Sequence, residues 1–345
     1  MPQAMAIFTV MPDDQQKKPE ARHLVVVLPA LNEEATVGPT IRQIPPRMPG
    51  VGSIQVVVVN DGSTDRTAAE ASEAGAIIVS HPKCLGVGAA FRTGLAKALE
   101  LGADIIVNTD ADGQFDPATI PTLIAPVIAG KADFATASRF ADPKLVPDMP
   151  AIKKWGNRMM SRLISKMIGQ DFHDVSCGMR CYNRRAAHSL NLMGSFTYTQ
   201  EVFLNLAYKH MRMVEVPIKV QGVRKHGKSR VASNIFHYAL RTSAIIFSCY
   251  RDYRPMRFFG RLALAMIAPA VCLELFLLGH YIHWGRLSPH KWAGFTGAAM
   301  FAIGLFLLHM GIIGDMLNRH RVYLEELLYR ARRESPDNHR DDQDA

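Results

Sequence analysis

The segment Leu24-Val-Val-Val-Leu-Pro-Ala-Leu-Asn-Glu-Glu34 shows most clearly which fold the sequence specifies. Residues 24–28 are apolar and largely β-branched, as expected for a strand that is buried on both faces of a sheet. Similar runs recur at residues 56–59, 77–79 and 105–107. Helical patterns lie between these runs, at residues 35–44, 64–74 and 88–101. Strands that alternate with helices predict an α/β fold, with a mostly parallel sheet flanked by helices.

The composition indicates which kinds of molecule the chain can bind. The chain has 345 residues and a net charge of +9, with 40 Lys and Arg against 31 Asp and Glu. A basic balance suits an anionic membrane or phosphorylated substrates. Since the basic residues are not interleaved with aromatic residues, we expect no nucleic-acid partner. The five cysteines lack metal-ligand spacing, which predicts reduced thiols in a cytosolic domain.

Two apolar runs near the C-terminus, residues 258–281 and 293–316, are each long enough to cross a bilayer as a helix. The short link at 283–292 predicts a hairpin, and arginines cluster before and after it. The hairpin predicts an integral protein of the cell (inner) membrane, and the positive-inside rule places its soluble domain and C-terminus in the cytoplasm. A helical hairpin buried in a globular core is the alternative.

The chain divides into several predicted parts. A flexible tail (1–21) precedes a cytosolic α/β domain (22–232), a juxtamembrane amphipathic helix (233–257), the transmembrane hairpin (258–316) and a charged cytosolic tail (317–345). Within the α/β domain the pattern after residue 140 is less regular. It predicts a basic amphipathic helix at 153–168, a loop at 171–180, a helix at 199–209 and a strand at 213–220.

The segment Asp110-Ala-Asp-Gly-Gln114 follows the strand at 105–107 directly. Ligands of parallel sheets bind beyond the carboxyl ends of the strands. Two carboxylates at such a position can face a hard divalent cation, since Mg²⁺ and Mn²⁺ prefer oxygen ligands and bridge to substrate phosphates. Asp110 and Asp112 are therefore candidate metal ligands, and a solvated acidic turn is the alternative.

Two further segments follow strands in the same way. In Asn60-Asp-Gly-Ser-Thr-Asp65 a hydroxyl can cap the next helix, and Asp61 can accept hydrogen bonds from a nucleobase. In residues 29–34 the acidic side chains either favour a helix start or line the same nucleotide pocket. The turn Gly86-Val-Gly88 lacks the third glycine of a dinucleotide fingerprint, and no Walker lysine follows it. Close helix packing and a nucleotide contact both remain open for this turn.

Basic residues gather in the segment Arg224-Lys-His-Gly-Lys-Ser-Arg230, close to the membrane hairpin. This composition suits a flexible clamp on a phosphate group. A contact with anionic lipid is the competing interpretation. Within the first span, Glu274 indicates helix or subunit packing, with His309 and Asp315 as candidate partners.

These motifs resemble, in their order along the chain, those of the family 2 inverting glycosyltransferases. The second half is similar to the polyprenyl-phosphate branch, which includes dolichyl-phosphate mannosyltransferase and bacterial undecaprenyl-phosphate sugar transferases. The supporting segments are Ser138-Arg139 and residues 174–180, 197–201, 214–217 and 224–230. The resemblance covers about residues 24–257.

The resemblance implies a GT-A fold and a metal-dependent, inverting transfer of a hexose from a UDP- or GDP-sugar to a polyprenyl phosphate. It also implies Mg²⁺ or Mn²⁺ as cofactor and a homo-oligomer. The implied nucleotide-binding residues are Pro29, Ala30, Asn32, Glu33, Asp61, Gly88, Asp110 and Ala111. The implied metal ligands are Asp110, Asp112 and Gln114. The implied acceptor-phosphate site comprises Arg139, Lys153, Asn157, Arg224 and Lys228, and the implied catalytic residues are Asp112, Arg139 and Arg224.

Two other functions are weighed against this one. A processive polysaccharide synthase carries a Gln-x-x-Arg-Trp motif, whereas this chain has Gln221-Gly-Val-Arg-Lys225. A non-catalytic, membrane-tethered nucleotide-binding scaffold would need no metal site beside a phosphate clamp. Transfer to an acceptor phosphate, which is already anionic near neutral pH, needs no strong general base.

Overall fold

The computed structural model describes residues 21–192, 198–221, 244, 247, 248 and 250–333. Seven strands form one sheet in the order β3-β2-β1-β4-β6-β5-β7. They are β1 Arg22–Ala30, β2 Val51–Asn60, β3 Ile77–Ser80, β4 Ile105–Asn108, β5 Phe134–Ser138, β6 Arg180–Asn183 and β7 Met213–Pro217. The strand β6 runs antiparallel to β4 and β5, and the other pairs are parallel. The prediction of a mostly parallel α/β sheet is confirmed.

Helices cover both faces of the sheet. They are α1 Val37–Arg42, α2 Thr67–Glu73, α3 Val87–Glu100, α4 Ile120–Ile128, α5 Ala151–Ile168, α6 Arg184–Ser189 and α7 Thr199–Tyr208. The apolar residues of β1 pack on both faces of the sheet. Val26 belongs to the hydrophobic cluster that includes α1 and α4, whereas Val27 belongs to the cluster that includes α3 and α7. Successive side chains of a strand point to opposite faces. A strand between two layers must therefore be apolar at every position.

Helix α3 lies unusually close to the sheet at Gly94. A Cβ atom on this residue would lie 2.3 Å from Cγ1 of Val27 and 3.1 Å from Cγ2 of Val59. The glycine thus permits a close approach between α3 and two central strands. The sequence left two roles open for the glycine-rich segment, close helix packing and a nucleotide contact. Close helix packing explains the glycine at residue 94.

Helices α8 (Pro255–Trp284) and α9 (Lys291–Arg333) form an antiparallel pair, and both are long and apolar enough to cross a membrane. Gly297 and Gly304 of α9 face Ala270 and Ala263 of α8, and a Cβ atom on either glycine would lie 3.2 Å from the facing carbonyl oxygen. Small residues at this spacing let helix backbones approach closely, which is typical of helix packing in membranes.

The polar residues within the hairpin are arranged differently from the prediction. Glu274 lies against Gly297, where a Cβ atom would be 2.7 Å from its Oε1. Asp315 instead pairs with Arg319 at 3.2 Å, and His309 contacts the carbonyl oxygen of Leu305 at 3.1 Å. The predicted partners of Glu274 therefore have other contacts in the described structure.

The segment 317–333 was expected to be the start of a charged tail, but it continues α9 as helix. Its Glu325 contacts Lys209 at the end of α7, with Nζ and Oε2 3.0 Å apart. Both ends of the hairpin thus lie on the side of the α/β domain. Residues 233–243 of the predicted juxtamembrane helix lie outside the described residues.

Candidate active site

The loops that follow β1, β2 and β4 meet at one edge of the sheet, because these strands are parallel neighbours. Ala30 at the end of β1 pairs with Asn60 at the end of β2. The segments 29–34, 60–65 and 110–114 therefore share this edge, where ligands of open α/β sheets bind.

The loop after β4 carries the two carboxylates predicted to bind a metal. Asp112 is 2% exposed, and its Oδ1 accepts a hydrogen bond from the backbone amide of Gln114 at 3.0 Å. Asp110 lies against Gly178, where an added Cβ atom would be 2.7 Å from Oδ2 of Asp110. The conformation of this loop thus depends on a glycine from a distant part of the chain.

The donor set fits a divalent cation that also binds substrate phosphates. Within the described residues, no group of three or more His, Cys, Asp and Glu side chains is placed to hold a metal ion by itself. Mg²⁺ commonly uses one or two carboxylates and takes its remaining ligands from water and substrate phosphates. Two aspartates at the edge of the sheet match that pattern.

Gln114 connects this loop to the start of the basic segment. Its Nε2 donates to the carbonyl oxygen of Gln221 at 3.1 Å, and the amide of Gln221 donates to the carbonyl oxygen of Gln114 at 3.0 Å. Metal coordination by Gln114 stays a prediction. Arg224 and Lys228 lie outside the described residues, although Arg224 follows Gln221 by only three positions in the sequence.

The carboxylate of Asp61 holds the loop that leads into α3. Its Oδ1 accepts from Nδ1 of His81 at 2.7 Å and from the amide of Leu85 at 2.9 Å. Its Oδ2 accepts from the amide of Gly86 at 2.9 Å and from Sγ of Cys84 at 3.3 Å. Each oxygen therefore already accepts two hydrogen bonds. A direct contact between Asp61 and a nucleobase stays a prediction, and the geometry favours an indirect role through this loop.

These contacts also determine the ionisation of Asp61. Burial by itself would raise the pKa of this carboxyl, but hydrogen bonds from His81 and from the amides of Leu85 and Gly86 outweigh it. The pKa of Asp61 is therefore lowered from its ordinary value of 3.8. Asp61 is negatively charged at neutral pH, and these hydrogen bonds hold the loop at residues 81–86 in its observed conformation.

Hydrogen bonds join the first two loops of the site. Asn32 has a left-handed backbone with φ of 52°. Its amide donates to Oγ of Ser63 at 3.0 Å, and its Oδ1 accepts from the amide of Thr64 at 2.8 Å. The amide of Glu33 donates to Oγ1 of Thr67 at 2.8 Å. The predicted nucleotide-binding segments thus form one continuous surface.

Arg139 forms a bidentate ion pair with Asp174. Its Nε and Nη2 donate to the two carboxylate oxygens at 2.6 and 3.0 Å, and its backbone amide donates at 3.2 Å. Nδ2 of Asn157 donates to the same carboxylate at 3.3 Å, so Asp174 joins two residues of the predicted acceptor site. Lys153 is exposed at the beginning of α5. The Arg139, Lys153 and Asn157 assignments stay predictions.

Two residues that organise this part of the site were absent from the predicted set. Asp174 is fully buried, and Glu215 accepts from the amides of His173 and Asp174 at 2.8 and 2.7 Å. Both residues belong to segments that support the family resemblance. Their spacing in the sequence did not indicate that Asp174 would pair with Arg139, or that Glu215 would bind the amides of residues 173 and 174. Their partners are distant in the sequence, so no local pattern could reveal them.

Arg180 ends the segment 174–180 that supports the family resemblance, and it lies entirely inside the domain. Its guanidinium donates to the carbonyl oxygens of Val175, Cys177 and Thr199. It also lies 5.0 Å from the ring centroid of Phe203. Arg180 therefore stabilises the interior and has no exposed face for a phosphate.

The sequence and the fold are similar to those of known glycosyltransferases. The glycosyl transferase family 2 profile matches residues 25–190. The chain is 32% identical over 216 residues to a UDP-N-acetylglucosamine–dolichyl-phosphate N-acetylglucosaminyltransferase from Methanococcus voltae, covering 57% of this chain and 84% of the relative. It is 25% identical over 308 residues to a dodecaprenyl-phosphate galacturonate synthase from Rhizobium johnstonii, covering 87% of this chain and 89% of the relative.

A solved structure shows the same fold. Glucosyl-3-phosphoglycerate synthase from Mycobacterium tuberculosis, in complex with Mn²⁺, UDP-glucose and phosphoglyceric acid, matches with a TM-score of 0.53 and 24% identity. The match covers 66% of this chain and 79% of that one, and it supports the GT-A-like fold. The chain therefore belongs to glycosyltransferase family 2, and its relatives include polyprenyl-phosphate sugar transferases.

Proposed function

We propose that this chain transfers a hexose from a UDP- or GDP-sugar to a polyprenyl phosphate at the cytoplasmic face of the inner membrane. The observation that carries the proposal is the double hydrogen bond between Gln114 and Gln221. It joins the carboxylate loop at the edge of the sheet to the chain that leads into the basic segment 224–230. A donor diphosphate and an acceptor phosphate can then be bound side by side.

The donor would lie along the joined loops. Pro29, Ala30, Asn32 and Glu33 would contact the base and ribose, together with the loop that is hydrogen-bonded to Asp61. The segment that begins at Gly88, and the backbone around Ala111, would face the phosphates. Asp110 and Asp112, with Gln114, would hold Mg²⁺ or Mn²⁺, which supplies charge neutralisation at the leaving diphosphate when bound.

The acceptor would be oriented by cations. The phosphate needs no deprotonation, because its second pKa is about 6. Arg139, held in a fixed direction by Asp174, would bind it together with Lys153, Asn157, Arg224 and Lys228. An oxygen of this phosphate forms a bond to the anomeric carbon while the bond from that carbon to the diphosphate oxygen breaks. The nucleoside diphosphate leaves, and a single displacement inverts the configuration.

Helix α5 supports an acceptor at a bilayer surface. Its side chains Ile152, Trp155, Met159 and Leu163 are between 45% and 61% exposed. At 3.6 residues per turn they form one stripe, on a different side of the helix from Ile164, which packs into the core. Arg158 and Arg162 lie along one edge of the stripe, and Lys166 lies in line with it at its C-terminal end. Helices with an apolar stripe and flanking cations lie in the membrane interface.

We also propose that the hairpin self-associates. A groove of about 720 Å³ lies between α8 and α9 and is lined by apolar side chains and by Glu274. A carboxyl group at this depth is stabilised by a hydrogen-bonding partner. A second copy of the hairpin would supply one and would fill the groove.

The test is transfer from radiolabelled UDP- and GDP-sugars to short polyprenyl phosphates by the purified protein, with Mg²⁺ or Mn²⁺. The variants Asp112→Ala and Arg224→Ala should lose the lipid product, whereas Lys131→Ala, an exposed cation at a distance from the site, should keep it. Tight nucleotide binding without any product would overturn the proposal and favour a polysaccharide synthase or a scaffold.

A further inference from the structure

The C-terminal arm of α9, defined as residues 317–333, packs against the α/β domain beyond the membrane-spanning part of the helix. Its Glu325 forms an ion pair with Lys209 at 3.0 Å, and the two side chains are only 13% and 8% exposed. Nζ of Lys209 also donates to the carbonyl oxygen of Ser189 at the end of α6. One buried contact therefore joins α6, α7 and α9.

A stack of alternating cations and rings lies beside this ion pair. The guanidinium carbon of Arg321 is 3.6 Å from the ring centroid of Tyr253. The Tyr253 ring stacks on Tyr208 at 4.2 Å with an interplanar angle of 14°. The guanidinium carbon of Arg254 is 5.6 Å from the centroid of Tyr208. The hydroxyl of Tyr253 accepts a hydrogen bond from Asn205 at 2.9 Å.

This contact is directional, unlike the apolar packing within the hairpin. Removing one partner of a buried ion pair leaves an uncompensated charge, so the pair tolerates little displacement. Cation–π contacts likewise require the cation to lie over the face of the ring. These contacts therefore favour the observed position of the arm relative to the domain.

Helix α9 connects this contact with the domain to the part of the chain that is proposed to span the membrane. Residues 291–333 form one continuous helix, so Glu325 stands at a fixed height above the part of α9 that spans the bilayer. Its contact with Lys209 then fixes the α/β domain at a defined height and tilt. An acceptor whose phosphate is confined to the bilayer surface can reach the site only if that height is correct.

We propose that the C-terminal arm of α9 positions the catalytic domain over the bilayer, with Lys209 and Glu325 as positioning residues. The proposal rests on the proposed transfer to a membrane-bound phosphate. Neither residue touches the reacting atoms. Their loss should weaken turnover of acceptors embedded in a bilayer and should spare acceptors that diffuse freely to the site.

The first experiment compares two acceptors, a long polyprenyl phosphate in vesicles and a short, water-soluble prenyl phosphate. Glu325→Gln should lower kcat/KM for the vesicle acceptor about 10- to 100-fold, the range expected for misplaced reactants, and leave the soluble acceptor within about twofold. Glu326→Gln, which removes the exposed pair with Arg330 on the same arm, is the matched control and should change neither value. Equal losses with both acceptors, or no loss with either, would overturn the proposal.

The second experiment measures domain position without catalysis. A dye attached through Lys131→Cys, in a background with Cys84→Ser, Cys249→Ser and Cys272→Ser, reports energy transfer to acceptor dyes in the vesicle membrane. The efficiency should be narrowly distributed in the parent and in Glu326→Gln, and should broaden or shift in Glu325→Gln. An unchanged distribution would refute the positioning role. If Glu325→Gln shifts the energy-transfer distribution but the parent protein transfers no sugar, only the proposed function is refuted.

Discussion

Gly178 lies directly against the carboxylate of Asp110, so that a Cβ atom at residue 178 would lie 2.7 Å from Oδ2 and 3.2 Å from Cγ. We expect Gly178→Ala to displace Asp110 and to lower kcat/KM about 10- to 100-fold, the range known for groups that orient metal ligands. The measurement is a steady-state assay at several Mn²⁺ concentrations, in which the apparent metal affinity should fall as well.

The control for this substitution is Gly260→Ala in α8, where a Cβ atom meets no other atom within 4 Å. Both variants should unfold close to the temperature of the parent protein. Full activity of Gly178→Ala would show that the position of Asp110 is unimportant for catalysis.

Asp112 provides a second test of the candidate metal site. Asp112→Asn keeps the size of the side chain and an oxygen that can accept from the amide of Gln114, but it removes the charge that is proposed to bind the cation. We expect an activity loss beyond about 100-fold, because substituting residues that merely orient a ligand already costs up to that amount. Isothermal titration of Mn²⁺ in the presence of UDP or GDP should show the same loss, and unchanged binding would contradict the assignment.

Asp61 should make stability depend on pH. Its pKa is lowered in the native state, so its contribution is complete above the ordinary value of 3.8 and is lost as the pH falls through the lower native value. Asp61→Asn cannot accept all four hydrogen bonds and should cost about 1–3 kcal/mol at neutral pH. The difference in Tm between parent and variant should therefore shrink below about pH 3.8.

Asp148→Asn, on an exposed side chain, measures the general effect of removing a carboxyl charge from the domain. The same preparations can be assayed for nucleotide affinity. A weaker affinity in Asp61→Asn is expected, because the loop from His81 to Gly86 loses its anchor. A difference in Tm that stays constant across the pH range would contradict this account of the carboxylate.

The ion pair between Arg139 and Asp174 should matter for folding as well as for activity. Asp174 is fully buried, so Asp174→Ala leaves the guanidinium of Arg139 uncompensated and should cost about 3–5 kcal/mol. Thermal unfolding in detergent measures the effect. Glu70→Ala breaks an exposed pair with Arg66 and should cost about 0–1 kcal/mol. Similar losses of stability in both variants would show that the buried pair stabilises the fold no more than the exposed pair does.

Arg139→Lys separates position from charge. Lysine keeps the cation but cannot form the bidentate contact with Asp174, since it lacks the planar fork of arginine. We expect KM for the acceptor to rise more than kcat falls, because the phosphate would be bound with the wrong orientation. An unchanged KM would place Arg139 outside the acceptor site.

The sequence predicted those elements whose physical signal is local. The β-branched runs in β1, β2 and β4 identify strands buried on both faces, and their ends locate the edge that carries Asp61 and Asp110. The apolar spans were equally clear, because a bilayer sets their length. Neither β5 nor β6 was predicted, since Phe134–Ser138 is rich in small residues and Arg180–Asn183 is short and polar.

The remaining features depend on contacts between distant parts of the chain. No periodic pattern in the sequence indicates that Arg139 pairs with Asp174. The same is true of the four hydrogen bonds that Asp61 accepts from residues 81–86. The arm at 317–333 was interpreted as a charged tail because of its many ionic residues. Several of these pair one helical turn apart, as Arg321 does with Glu325, and stabilise a helix instead.

Transfer to a polyprenyl phosphate, compared with the corresponding polyprenol, is the most direct test of the central claim. The purified protein is incubated with each lipid, the preferred nucleotide-sugar and Mn²⁺, and products are identified by mass spectrometry. The account predicts a glycosylated lipid phosphate that requires the metal, together with no product from the polyprenol, because the phosphate oxygen is the nucleophile in the proposed reaction. Equal transfer to the polyprenol, or transfer only to a soluble sugar, would contradict it.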